Sequence, residues 1–264
     1  MGRNLLLCEA MGKIIAIANQ KGGVGKTTTA INLSSALGFA GAKVLVVDMD
    51  PQGNATSGLG VELSDDDASI YDVLIGRAKV KDTIRPTKVE NLDIIPGHIN
   101  LSAAEIELVT EISRETKLQK ILTTVCDEYN FVMIDCPPSL GLLTVNSLTA
   151  ANSVLIPLQC EYYAMEGLGQ LLNTVRLIRE SLNEDLELEG ILLTMYDPRN
   201  NLSKEVQKQV EEFLHDSIFD TIIPRNVRLS EAPSHGQSII EYDIKSKGAA
   251  SYIELAKEML ARLS

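Results

Sequence analysis

Cysteine is sparse in this chain of 264 residues: Cys8, Cys126, Cys136 and Cys160 stand alone, with no CxxC spacing. That excludes a zinc ribbon or a dithiol redox motif and reads as reduced thiols of a cytosolic protein. Histidine is scarcer, and His98, His215 and His235 are too dispersed for a metal site. No apolar run approaches the roughly 20 residues of a membrane span. Leu5-Leu6-Leu7 is too short for the core of a secretory signal. Low-complexity tracts, internal repeats and linkers rich in Gly, Ser or Pro are also missing. The expected organisation is therefore one domain over residues 11–264, behind a disordered extension over residues 1–10. Positive charge is short as well: 24 Lys and Arg against 36 Asp and Glu leave a net charge of −12. Such a balance argues against a generic polyanion binder. Residues 190–264 carry nine Lys/Arg against eleven Asp/Glu, a net of −2, so residues 1–189 hold the other −10. Any basic face belongs near the C-terminal end.

What is present is a regular alternation. Residues 13–19, 43–48, 92–95, 131–134, 153–156 and 190–194 are apolar runs, continuous rather than alternating. Continuous hydrophobicity fits strands covered on both faces, as in a parallel sheet. Helical patterns lie between them, over residues 27–41, 118–129, 167–182, 202–214 and 249–263, and a short last strand is expected over 221–223. Strand and helix in turn predict an α/β fold with a doubly wound, mostly parallel sheet flanked by helices. Asp65-Asp66-Asp67 reads as a solvated loop and helix cap.

The strongest local signal is Lys21-Gly22-Gly23-Val24-Gly25-Lys26-Thr27-Thr28, between the first strand and the first helix. Glycines let backbone amides turn inward around phosphate oxygens, and a helix start adds the positive end of its dipole. Lys26 is placed to reach β- and γ-phosphates and the Thr27 hydroxyl to ligate Mg²⁺. Against the pattern GxxxxGK(S/T), Gln20 stands where the first glycine would be and Lys21 adds a second cation.

Carboxylates follow two other strands. Asp48-Met49-Asp50-Pro51-Gln52-Gly53-Asn54 puts two acids before a turn, at the strand end that faces the ligand crevice of an α/β sheet. Phe131-Val132-Met133-Ile134-Asp135 is an apolar strand ending in an acid suited to Mg²⁺. In the following Cys136-Pro137-Pro138-Ser139, Cys136 reads as a small packing residue.

KGGVGKTT resembles the deviant Walker A box of the ParA/MinD superfamily, whose hallmark is the extra lysine held here by Lys21. Cys160-Glu161-Tyr162-Tyr163-Ala164-Met165-Glu166-Gly167 and the stretch from Pro224 to Gly236 resemble ParA/Soj partitioning ATPases rather than MinD. The resemblance runs from residue 11 to about residue 263. It implies a P-loop NTPase-like fold, ATP/ADP and Mg²⁺ as ligands, and ATP hydrolysis that is slow unless stimulated. It also implies an ATP-bound homodimer in which Lys21 reaches the nucleotide of the other subunit. Lys26 and Lys21 would then share catalysis with Asp50, which orients the attacking water. Asp48 would support the phosphate and magnesium network, Asp135 would hold the metal with Thr27, and Pro224-Arg225-Asn226 would wrap the adenine. The family implies non-specific binding of double-stranded DNA, a ParB/Spo0J-type partner, and a cytoplasmic, nucleoid-associated place. Arg199 and Arg228 match its basic positions; Lys204, Lys245 and Lys247 are DNA candidates by charge alone. A replication initiator as partner is the alternative function. A MinD-like membrane role fits less well, because the last helix balances Glu254 and Glu258 against Lys257 and Arg262. An electron carrier of the nitrogenase-reductase kind needs paired cluster cysteines that this chain lacks.

Overall fold

The computed structural model describes residues 12–64, 66–162, 164–214 and 217–262. The expected extension over 1–10, and His215, lie outside the described residues. Five apolar segments form the parallel centre of one sheet: β1 (Lys13–Ile17), β2 (Val44–Asp48), β5 (Phe131–Asp135), β6 (Ser153–Gln159) and β7 (Glu187–Thr194). β3 (Arg85–Pro86) and β4 (Leu92–Ile95) complete it. Among the described residues the strand order is β3-β4-β2-β5-β1-β6-β7, parallel throughout except for the β3–β4 pair. From β1 the chain goes out to β2 and the edge strand β3, returns through β4 to β5 between β2 and β1, and then crosses to the other side of β1 for β6 and β7. Such a reversal opens a crevice at the carboxyl ends of the strands.

Every residue of β2 and β5 is buried, which explains their unbroken hydrophobicity. One face of the sheet is covered by α1 (Lys26–Phe39) and α12 (Lys247–Ala261), around Ile31, Leu33, Leu37, Tyr252 and Leu255. α6 (Lys117–Leu122), α7 (Leu142–Ala150) and α8 (Ala164–Ser181) cover the other, through Leu118, Leu143, Leu148, Leu168 and Leu171. α1 is buried from Lys26 to Gly38 apart from the two threonines after Lys26. It therefore serves as a rigid post behind the loop that precedes it.

Two expected elements differ. The helix predicted over 118–129 stops at Leu122 and resumes only as a single 3-10 turn, Cys126–Glu128. Thr123-Thr124-Val125 is a β-branched run, and the two threonine hydroxyls donate back to the Gln119 and Ile121 carbonyls, competing with the helix. The strand expected over 221–223 does not form. The backbone N–H groups of Asp220 and Thr221 donate to the Glu258 carboxylate of α12. The segment meets the β7 edge through isolated bridges, Ile191 to Ile218 and Tyr196 to Pro224, and through the Phe219 and Ile223 amides donating to the Ile191 and Leu193 carbonyls. In the acidic cluster Asp67 caps no helix, a place taken by Ser69; it closes a surface turn, accepting from the Ser64 amide and hydroxyl. No helix among the described residues is long and apolar enough to cross a membrane.

Candidate nucleotide site

The Gly-rich loop leaves β1 and enters α1. Gly23 and Gly25 take φ values of 74° and 93°, the left-handed region open to glycine, so the chain coils before the helix begins at Lys26. The first turn of α1 holds no acidic side chain and its N-cap makes no side-chain bond, which leaves the helix amides free for an anion. The loop is anchored from three sides. Asn19 accepts from the Lys21 amide and donates to the Pro157 carbonyl at the end of β6. Thr194, at the end of β7, donates to the Val24 carbonyl at 2.8 Å. The buried Lys26 ammonium donates to the Lys21 carbonyl at 3.1 Å, across the loop. Burial lowers the Lys26 pKa, while Asp135 and Asp50 among others pull it back up.

Asp135 carries the decisive chemistry. It is fully buried, and neither carboxylate oxygen has a hydrogen-bond partner among the described residues. Burial and the neighbouring Asp48 push its carboxyl well above the usual range. The Thr27 hydroxyl, near it though outside hydrogen-bond geometry, and Lys26 only partly oppose them. A buried carboxylate without donors is costly unless something outside the protein completes it. A hydrated divalent cation beside the Thr27 hydroxyl is such a group, and these hard oxygen donors suit Mg²⁺.

Asp48 occupies its oxygens within the protein. Oδ2 accepts from the Thr56 amide at 2.9 Å and hydroxyl at 2.7 Å, and Oδ1 from the Asp50 amide at 3.2 Å. Thr56 in turn accepts from the Gly97 amide. Burial raises the Asp48 carboxyl to about 6 against the pull of Thr56. Asp48 thus ties the turn after β2 to α2 (Asn54–Gly58), and Asp50, buried beside it, accepts from the Gln52 amide. Cys136 is buried with its thiol pushed up to about 12 by burial, an inert packing residue as the sequence suggested.

A cavity of about 570 Å³ joins Thr27 and Thr28 to Pro224, Arg225 and Asn226, which lie some 200 positions apart in sequence. Ile31, Leu229 and Tyr252 contribute apolar wall. Asn226 caps α10 (Val227–Glu231), its Oδ1 accepting from the Arg228 amide. Lys21 does not line this cavity; its ammonium pairs with the Glu161 carboxylate, both side chains being about half exposed.

The candidate DNA residues are exposed, yet the two arginines are partnered. Arg199, its side chain 89% exposed, makes a two-pronged pair with Asp197. Arg228 pairs with Glu231 at 2.8 Å and lies over the Tyr242 ring. Lys204, Lys245 and Lys247 stand on the surface. Sequence reasoning missed Asn19, Thr56, Glu161 and Thr194. Only Asn19 had a signal, ending the first strand directly before the loop; the others act from positions far away in the chain.

Residues 12–188 match the family of AAA domains. The sporulation initiation inhibitor protein Soj of Bacillus subtilis is 60% identical over 251 residues, 95% of this chain and 99% of that one. The chromosome-partitioning ATPase Soj of Treponema pallidum is 55% identical over 252 residues, 96% and 98% of the two chains. Among solved structures, a cobyrinic acid a,c-diamide synthase from Mycobacterium smegmatis with bound ADP and magnesium superposes with a TM-score of 0.81. It is 38% identical, over 93% of this chain and 92% of that one.

Proposed function

Because the chain belongs to the ParA/Soj family of partitioning ATPases, we propose that it is an ATP-driven switch that pairs on DNA and moves it. The reading is supported above all by one observation: Asp135, buried and unpartnered, faces Lys26 and Thr27 across a helix N-terminus ready for phosphates. ATP lies in the cavity, its base against Pro224, Arg225 and Asn226 and its phosphates in the loop from Gly22 to Thr28, Lys26 neutralising the β- and γ-oxygens. Mg²⁺, when bound, offsets phosphoryl charge, and Thr27 with Asp135 would hold it. Asp50 orients the attacking water; Asp48 fixes the turn that carries Asp50. Lys21 leaves Glu161 to reach the nucleotide of a second subunit, so that ATP occupancy becomes pairing.

In the paired state Arg199 and Arg228, with Lys204, Lys245 and Lys247, contact double-stranded DNA without reading sequence. The net charge of −12 opposes a polyanion, so the contact comes from these cations gathered by pairing and weakens steeply with salt. A ParB-type protein and DNA accelerate hydrolysis and reset the switch in the cytoplasm, over the nucleoid. The test is phosphate release from ATP with and without DNA and such a partner, beside sedimentation in ATP and in ADP. Stimulated release and ATP-dependent pairing support the switch; a protein that binds no ATP overturns it. The likeness to a diamide synthase favours a second reading, an amide ligase. Phosphate release that ignores DNA and partner, and follows a small carboxylic acid plus an amide donor, would select it.

A further inference from the structure

Thr194 ends β7 with its side chain buried, 170 positions from the residue it contacts, and its hydroxyl donates to the Val24 carbonyl at 2.8 Å. A peptide unit is planar and trans, so fixing the Val24 C=O toward β7 aims the Gly25 N–H the opposite way. Gly25 has no side chain to resist, and its φ of 93° already departs from the conformation other residues prefer. The Thr194 methyl also bounds Gly25: a Cβ there would lie 3.8 Å from Cγ2.

The same segment reaches the far end of the cavity. Met195, next in sequence, is a non-glycine residue at φ 50° and lines the cavity. Tyr196 donates to the Ile223 carbonyl at 3.1 Å and accepts from the Arg225 amide at 3.2 Å. Three consecutive residues therefore hold the phosphate loop at one end and the base loop at the other. The strained φ at Met195 is kept by bonds on both sides of it.

We infer that Thr194 is a positioning residue for the triphosphate, its hydroxyl setting the aim of the Val24–Gly25 peptide and fixing the spacing between phosphate loop and base loop. The inference rests on the ATP-site reading above. It is tested by Thr194→Val, which keeps shape and removes the hydroxyl, beside Thr194→Ser, which keeps the hydroxyl. Affinities for Mg–ADP and Mg–ATP, KM and kcat, and the melting temperature without nucleotide are compared with the parent protein. Loss of one hydrogen bond to a buried carbonyl predicts about tenfold weaker ATP binding and a raised KM in Thr194→Val. Thr194→Ser returns to within about threefold, and the nucleotide-free melting temperature falls by no more than several degrees in Thr194→Val and less in Thr194→Ser. Should the valine variant fail to fold, Thr194→Ala carries the same expectation. Unchanged ATP affinity in the hydroxyl-free variant, or equal losses in the serine and valine variants, overturns the inference. If the parent itself binds no ATP, it is the site reading that fails.

Discussion

The Lys21 ammonium pairs with the Glu161 carboxylate of its own chain, while the Lys26 ammonium donates to the Lys21 carbonyl. The two cations of the loop are thus separated in role before any nucleotide enters: one crosses the cradle, the other points away from it. A half-exposed pair of this kind is worth at most about 1 kcal/mol, so a phosphate can displace it. Lys21→Ala should bind ATP and sediment as a monomer. Glu161→Gln should pair at up to about fivefold lower ATP, the most that such a surface contact can withhold. Sedimentation velocity across ATP concentrations reads both; a Lys21→Ala protein that pairs like the parent contradicts a role in the other subunit's site.

Buried carboxyls whose folded pKa values are raised give a definite sign to the pH dependence. Asp48 is raised to about 6 and Asp135 well above its ordinary value, both first through burial. Their protonated forms are the ones the fold tolerates. The stability they contribute is full below the unfolded carboxyl range near 4 and is lost as pH rises through the folded values. Without Mg²⁺ and nucleotide, the melting temperature should therefore climb as pH is lowered from about 7 toward 5, the window set by Asp48. Asp135→Asn should raise the melting point of the nucleotide-free protein above neutral pH, where the buried carboxyl is most costly, while losing Mg²⁺-dependent hydrolysis. Calorimetry over a pH series measures it, and a nucleotide-free Asp135→Asn protein less stable than the parent would show that the carboxylate is satisfied from within.

The sheet was legible because its strands are buried on both faces, and burial on both faces writes itself as continuous apolar runs such as Val44–Asp48 and Phe131–Asp135. The glycine loop and the helix start at Lys26 were legible because they are local, eight consecutive residues whose spacing is their geometry. Within residues 54–130 the strand Leu92–Ile95 was legible, but the short helices were not, since Ile70–Leu74 takes its start from a capping box, Ser69 with Asp72, rather than from periodicity. Nor were Thr56, Glu161 and Thr194. Their partners Asp48, Lys21 and Val24 are fixed by how strands are ordered in the sheet, and single threonines or glutamates carry no pattern that announces it. For the same reason the segment after Asp220 looked like a strand: the competing acceptor, Glu258, lies on a distant helix.

Asp50 should separate pairing from turnover. It is buried beside Asp48, and its carboxylate bonds to the Gln52 amide of its own turn rather than holding the loop or α1 in place. Asp50→Ala is therefore expected to keep ATP affinity within a few-fold while phosphate release falls by at least about a hundredfold, the scale of a lost general-base contribution. The protein should accumulate as the ATP-bound pair on native-gel or sedimentation analysis. Rapid hydrolysis by Asp50→Ala would reassign the water-orienting group.

Arg199 sets the last test, because the structure shows it both exposed and neutralised. Asp197 holds the guanidinium through two side-chain bonds, and those bonds with the Arg199 amide keep the Asp197 carboxyl down at about 2, so the pair is intact throughout the neutral range. A phosphate approaching Arg199 must compete with that carboxylate. Arg199→Glu should abolish DNA retention and spare ATP binding. Asp197→Asn should do the reverse of weakening, since it removes one negative charge and can still cap the Arg199 amide through its side-chain oxygen. Retention should then persist to higher salt, with the slope of affinity against salt steeper by about one phosphate contact. DNA retention measured against salt in the ATP-bound state decides between them. If neither substitution moves the salt midpoint, Arg199 does not meet the polyanion, and Arg228, released from Glu231 in the same way, is the next position to test.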